Sequence, residues 1–503
     1  METGVGRAML GSGRTVSGDH GVRKAARTAL LRRGRTRPAR RRRDATATAR
    51  AAEAERWRRL CRRAARPGPA GTGELLAEVR RVAAAGRAQD RGTALDELLR
   101  APPEVLARLD RAARRPAAPG TGRPALPGDA DPLTLLLASF DPDGRVRRAA
   151  VERLARRGGR PAAAALALRC DDRVPQVRDG ALAALLGNAV PDEAAVAVRL
   201  LIRLAARRRA GDALAAYRAA LAAPGRRRVV RRLAADGDPR VRRFGVALAL
   251  ELGEYVRGDL ARTALHDHDP VCRGLCAERL LELDPDQAGR LMWARSADVR
   301  GAAVAALPDD VPAARLVAPL ADRCRTVRAQ ARWKLYKRGE PPVEVYRRQL
   351  RRCARTTQAR LVAGLAAGLG ECGDASDAPV LAVLAGDASW APGVRRAAMR
   401  ALGRVAPAEE VRRVAVPLVA GEPPGLAREA LDALTAAGGA PPEALRAGLA
   451  RPEPPVWRAA LRATVTAEPS VRREIASRAA SDPRPEVATA ARTRLHPWLR
   501  PPT

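Results

Sequence analysis

From residue 131 onward, small apolar residues recur at helical spacing in short blocks cut by acidic turns. The clearest block is Asp141-Pro142-Asp143-Gly144-Arg145-Val146-Arg147-Arg148-Ala149-Ala150-Val151-Glu152-Arg153-Leu154. An acidic turn is followed by Val-Arg, then by Ala and Leu on one helix face. The pattern returns at Asp236-Gly237-Asp238-Pro239-Arg240-Val241-Arg242 and at Asp267-His268-Asp269-Pro270-Val271-Cys272-Arg273. Further copies carry Val177-Arg178, Val299-Arg300, Val327-Arg328, Val394-Arg395, Ala427-Arg428 and Trp457-Arg458. Weaker copies place the arginine at Arg209 and Arg360, and a last copy, Pro485 to Ala488, has alanine in its place. Successive positions lie 27 to 35 residues apart, room for two short helices and two turns. Partner helices are predicted at Leu133–Ser139, Ala163–Leu168, Ala194–Ala206 and Val311–Leu320.

A helix pair of ~30 residues cannot bury its apolar face alone, and stacking neighbours makes a continuous core. Alanine lets helices approach closely and leucine fills the gaps. The Asp ahead of each second helix is placed to cap free N–H groups and to complement the helix dipole. Proline after it suits the first helical turn. The pattern therefore predicts an all-α chain built as a solenoid.

The Asp-Pro-x-x-Val-Arg-x-x-Ala-x-x-x-Leu signature resembles the HEAT-like repeat family, in particular its phycobilin-lyase-type bacterial version. The likeness covers roughly residues 130–497. It implies a right-handed α-solenoid of about 11–12 helix pairs. It also implies a ladder in which turn aspartates and Val-Arg arginines bond to neighbouring repeats. Carried onto this chain, the ladder comprises Asp143, Arg147, Arg178, Asp238, Arg242, Asp269, Arg273, Arg300, Arg328, Arg395, Arg428 and Arg458. The resemblance implies an interaction scaffold without naming its partner.

Upstream the pattern degrades. Residues 1–66 read as a basic, largely disordered tail, with the Arg-rich run from Arg32 to Arg43 and a possible short helix at Ala45–Ala65 carrying Trp57, Leu60 and Cys61. After a linker at Pro67–Gly73, residues 74–115 offer degenerate helical repeats. A Pro/Gly stretch over 116–130 links them to the array at 131–497.

Composition sharpens this picture. Of 503 residues, 46% are hydrophobic but only 2% aromatic, so the core is almost all Ala, Leu and Val. The net charge is +38, and only Lys24, Lys334 and Lys337 among the 93 basic residues are lysine. An arginine excess of this kind resembles the bias of a GC-rich coding sequence, which discounts it as a binding signal. The charge is also uneven: residues 1–66 hold 20 basic and 5 acidic residues, residues 361–503 hold 18 and 15. A polyanion site is expected in the tail or the middle repeats. No apolar run approaches the ~20 residues of a spanning helix. Without a secretory pattern, and with seven scattered cysteines, a reducing cytoplasm is expected.

Four candidate sites follow. The middle basic surface comprises Arg207, Arg208, Arg227, Arg228, Arg231, Arg232, Arg338, Arg348, Arg351, Arg352 and Arg355, whose guanidinium forks suit phosphates and carboxylates. Arg351 and Arg355 are expected one turn apart on one helix face, with Tyr336 and Tyr346 adding stacking. The Arg32–Arg43 tail is a second electrostatic candidate. The third is His266, Asp267, His268, Asp269, Cys272 and Cys276; these have metal-binding chemistry, but the repeat assigns them to cap and core positions. The fourth is catalysis of the kind seen in HEAT-like alkylpurine DNA glycosylases, which use aromatics and an Asp on a basic face. Trp293, Trp333, Trp390 and Trp457 lie in the array, but packing accounts for Trp333 and Trp457 more simply. No phosphate-binding loop, nucleophile elbow or metal-binding helix motif is present.

The expected function is a non-catalytic, monomeric, cytoplasmic scaffold that binds an acidic protein or peptide. No cofactor, metal or membrane contact is expected. Nucleic-acid binding through the tail and middle repeats is the alternative, and a glycosylase a distant third.

Overall fold

The computed structural model describes residues 48–114, 126–188 and 190–495. Among them every regular element is a helix. The chain is an α-solenoid in two compact units, residues 1–252 and 253–503. The Arg32–Arg43 run lies outside the described residues.

In the first unit, a helix over 48–65 precedes Ala70–Ala85, Ala88–Arg100 and Pro103–Ala113. Trp57 is completely buried and donates from Nε1 to Glu53 at 3.0 Å. Arg58 reaches Glu97 at 3.1 Å, tying this helix to Ala88–Arg100. The described end of the basic N-terminal segment is thus a packed helix. Only residues 66–69 separate it from the next, a shorter break than Pro67–Gly73. Beyond Pro132–Ala138, the unit continues through Gly144–Arg157, Gly159–Arg169, Pro175–Gly187, Pro191–Leu204, Arg208–Leu221, Arg227–Ala234 and Pro239–Glu251. Helices pack on their chain neighbours and on the next but one, the contact pattern of stacked pairs.

The second unit repeats that scheme. Pro270–Leu283 packs on Ala297–Ala306, which packs on Arg325–Lys337; Ala359–Cys372, Pro392–Val405, Pro424–Ala436 and Pro454–Ala463 form another run. One partner helix shrinks to a 3₁₀ turn at Pro285–Gln287 and the single turn Ala288–Leu291.

Local chemistry follows the repeat. Asp143, Asp238 and Asp269 each cap their helix, accepting from Arg145, Arg240 and Val271 N–H at 2.8–2.9 Å. Proline occupies the first turn of Pro239–Glu251 and Pro270–Leu283. The Gly364–Gly373 stretch is mostly helix, Ala359–Cys372, and its glycines serve close packing. A Cβ at Gly364 would land on the Ala321 carbonyl oxygen, and one at Gly370 would come 2.5 Å from the Ala401 Cβ. No helix among the described residues is long and apolar enough to cross a membrane.

Candidate functional site

The first question is which arginines the fold consumes. Arg147 is 4% exposed. Its Nε and Nη2 bond both carboxylate oxygens of Asp172 at 2.9 and 2.8 Å, and Nη1 donates to the Asp141 and Pro142 carbonyls. Its carboxylate partner is therefore the turn aspartate of the following repeat; Asp143 serves as the cap. Arg300 repeats the arrangement with Asp322 at 2.7 and 2.8 Å and with the Ala294 and Arg295 carbonyls. Arg395 does so with Glu422 at 2.7 and 2.8 Å and the Ala385 carbonyl. Arg328 instead reaches Glu371, shared with Arg332, and donates to the Asp322 carbonyl. Each bidentate fork satisfies buried carboxylate oxygens that would otherwise be costly. Arg300 holds Asp322 below the usual carboxylate range against the upward push of burial, and Arg328 does the same for Glu371.

Other ladder positions differ. Arg273 donates to the Asp267 and His268 carbonyls of its own turn, at 2.6 and 3.2 Å. Arg242 is half-buried, and Asp238 meets Arg199 at 3.4 Å. Arg178 pairs with its chain neighbour Asp179 at 3.1 Å. Arg428 lies 3.7 and 3.8 Å from Glu429 and Asp432, and exposed Arg458 stacks over Trp457 with 5.0 Å to the ring centroid. At these last three, the carboxylate that would complete an inter-repeat bridge is replaced by one on the same helix or by a ring.

The eleven basic-surface candidates divide between the units. In the first, Arg207 pairs with Asp171 at 2.6 Å, and Arg232 with Asp192 and Asp236 at 3.1 and 2.9 Å. Arg227 and Arg231 are also engaged, while Arg208 and Arg228 are exposed. In the second, Arg338 pairs with Glu340 at 3.1 Å; Arg355 pairs with Asp387 and lies 3.9 Å over the Trp390 ring. Arg348, Arg351 and Arg352 are exposed. Arg351 and Arg355 do not share a helix face: the helix Pro342–Arg351 ends before Arg355, which sits in the following loop. Tyr346 offers no stacking face either, since it is completely buried and its hydroxyl donates to the Leu320 carbonyl at 3.0 Å.

Trp333 departs from the core role expected of it. It is 53% exposed and stacks on Tyr336, which is 68% exposed, with ring centroids 5.7 Å apart. Trp457 is buried. His266 and His268 are exposed whereas Cys272 and Cys276 are completely buried, so they do not face a common point of access; no metal-like cluster forms among the described residues. Burial pushes the Cys276 thiol up to about 12.

Two recesses gather several arginines that the ladder leaves over. In the first unit, a recess of about 1030 Å³ is lined by Arg111, Arg114, Arg147, Arg173, Arg207, Arg208 and Arg209, with Asp110 and Asp171. Beneath it, completely buried Asp172 takes Arg114, Arg147 and Arg169, while Asp110 pairs with Arg114 and Arg169. In the second unit, a groove of about 950 Å³ carries Trp293, which is 75% exposed, and partly exposed Ala318, Ala363, Ala367 and Ala397. Arg295, Arg315, Arg325, Arg360 and Arg404 line it, all exposed and none in an ion pair among the described residues. The acids lining it, Asp322 and Glu371, are held by Arg300, Arg328 and Arg332. Most of these groove arginines lie outside any charge run, so the sequence reading passed over them; Arg360 counted only as a weak repeat arginine.

No family model matches the chain, and neither does any curated relative. Solved structures do match loosely. A chain from a structure of Kap95p with RanGDP is 11% identical, with 85% of this chain and 66% of that one covered and a TM-score of 0.39. For a C-terminal fragment of the Chaetomium thermophilum cohesin loader SCC2 the values are 13%, 85%, 41% and 0.31. For Kap121p bound to Pho4p they are 12%, 88%, 53% and 0.28. The chain spans less than two thirds of the length of each. The α-solenoid architecture rests on this chain's own stacked helices.

Proposed function

We propose that the chain is a non-catalytic HEAT-like scaffold, of the phycobilin-lyase-type repeat group, that holds an acidic protein segment in the groove of its second unit. The observation that carries this reading is the pairing of an exposed Trp293 and an alanine floor with five arginines outside any ion pair among the described residues. Such a lining suits an extended acidic segment with an apolar anchor. The ring and the alanines take the anchor, and the guanidinium groups take its carboxylates. Nothing in the groove requires a cofactor or a metal, and the scaffold is proposed to act as a cytoplasmic monomer. The nucleic-acid alternative draws on the Arg32–Arg43 tail and the basic middle repeats.

The test is fluorescence anisotropy with a labelled peptide of alternating Glu and Leu, read beside an all-Glu peptide and a short duplex DNA. The Glu/Leu peptide is expected to bind and to survive moderate salt. Trp293→Ala should weaken it by about 2 kcal/mol, the cost of losing a central aromatic anchor. Paired Arg360→Glu and Arg404→Glu changes should abolish binding. Preferential binding of DNA, falling steeply with salt and indifferent to Trp293→Ala, would overturn the proposal.

A further inference from the structure

At the weaker copy that carries Arg209 the turn changes character. Several repeats set a capping aspartate at the start of the second helix, as at Asp143, Asp238 and Asp269, while others, Pro175–Gly187 among them, begin without a side-chain cap. Here Arg207-Arg208-Arg209 stand at that start, and no side chain caps the helix Arg208–Leu221. Positive side chains at the positive end of a helix dipole oppose folding. The neighbouring helix Pro175–Gly187 also brings its N-terminal end to the same recess, through Arg173 and Val174. Arg111 lines it from Pro103–Ala113. Arg111, Arg173, Arg208 and Arg209 are exposed and form no ion pair among the described residues. Of the acids nearby, Asp171 is taken by Arg207, and Asp110 and Asp172 by the buried arginines below. The arrangement is locally unfavourable with the recess empty and becomes favourable when a compact anion fills it.

We propose that this recess binds a small molecule carrying two or more phosphate groups, gripped by Arg111, Arg173, Arg208 and Arg209. Guanidinium forks match phosphate oxygens two at a time, and free N–H groups at an uncapped helix start add further donors. About 1030 Å³ accommodates a nucleoside triphosphate-sized ligand. The inference is independent of the peptide groove, which lies in the other unit.

Inorganic tripolyphosphate and ATP are titrated into the full chain by calorimetry, with melting followed in parallel, at ~50 and ~200 mM salt. Saturable one-site binding with a rise in Tm is expected. The Arg208→Glu/Arg209→Glu double variant should lose at least tenfold in affinity. Its ligand-free Tm should not fall, because glutamates at a helix start complement the dipole. An Arg348→Glu/Arg351→Glu control in the second unit should bind as the original chain does. Absence of binding, binding retained by the first variant, or equal loss in both variants would overturn the assignment. So would a duplex oligonucleotide that binds through Arg208 and Arg209 while tripolyphosphate does not.

Discussion

Replacing Arg300 by alanine removes four hydrogen bonds at once: two to the carboxylate of Asp322 and two to the Ala294 and Arg295 carbonyls. The Asp322 side chain is 13% exposed and keeps the Cys324 N–H, at 2.7 Å. A nearly buried carboxylate is left without its counter-charge, a change that costs about 3–5 kcal/mol. For a unit of this size that corresponds to a Tm lower by roughly 6–20 °C. Arg178→Ala is the matched comparison, since it alters the same sequence motif. Arg178 pairs with a 67% exposed aspartate next to it in the chain, so its loss should cost under about 1 kcal/mol. Scanning calorimetry of both variants in the full chain decides the matter, with native-state hydrogen exchange reporting where protection is lost. Exchange should rise around 294–337 in Arg300→Ala, because repeats couple to their neighbours. Equal costs for the two variants, or a loss under about 1 kcal/mol for Arg300→Ala, would refute the claim that burial of the bridge sets its worth.

Further outcomes follow from other features. Arg300 keeps Asp322 below its ordinary value near 3.8, so the bridge's contribution is intact above that value and lost as pH falls beneath it. Acid melts of the original chain and of Asp322→Asn should therefore converge at low pH; a constant gap would sink this account. Burial pushes the thiols of Cys61, Cys170 and Cys276 up to about 12 from 9.0, which cuts the reactive thiolate about a thousandfold. Together with buried Cys272 they should react with a thiol reagent only after denaturation, whereas prompt labelling of these four in the native chain would contradict their burial. Gly364→Ala, despite alanine's higher helix propensity, should lose about 1–3 kcal/mol by overpacking against Ala321. An unchanged or raised Tm would show that the turn yields freely.

The helices were legible because each repeat states the same pattern, and the partner helices fall within a few residues of their expected spans, as at Pro191–Leu204 and Ala313–Leu320. The arginine bridges were legible in part. Sequence marks the donor, but the acceptor comes from the next repeat and varies between Asp172, Asp322, Glu371 and Glu422. Trp333 was misread because its helix was judged on apolar content. In register, Arg328 aligns with Arg147 and Leu335 with Leu154, which sets Trp333 at the place of exposed Glu152. The groove was hidden for a different reason. Arg295, Arg315 and Arg404 have no basic residue within three positions in the chain and meet only once helices stack. By contrast the Arg207–Arg209 run was visible as part of the basic surface, and the structure adds that it stands at a helix start.

The reach of the arginine bridges bears on how such a chain can be lengthened or shortened by recombination. Arg147, Arg300 and Arg395 find their acids 25, 22 and 27 residues downstream, within one repeat period. Duplicating or excising a whole period there hands each donor an equivalent acceptor, so the bonding survives the edit. Arg328 reaches 43 residues to Glu371, across the helix Pro342–Arg351 and the turn after it. A crossover between 328 and 371 strands a buried guanidinium on one side and a buried carboxylate on the other. Repeat number can drift on either side of that staple, and the segment it spans must be inherited as one piece.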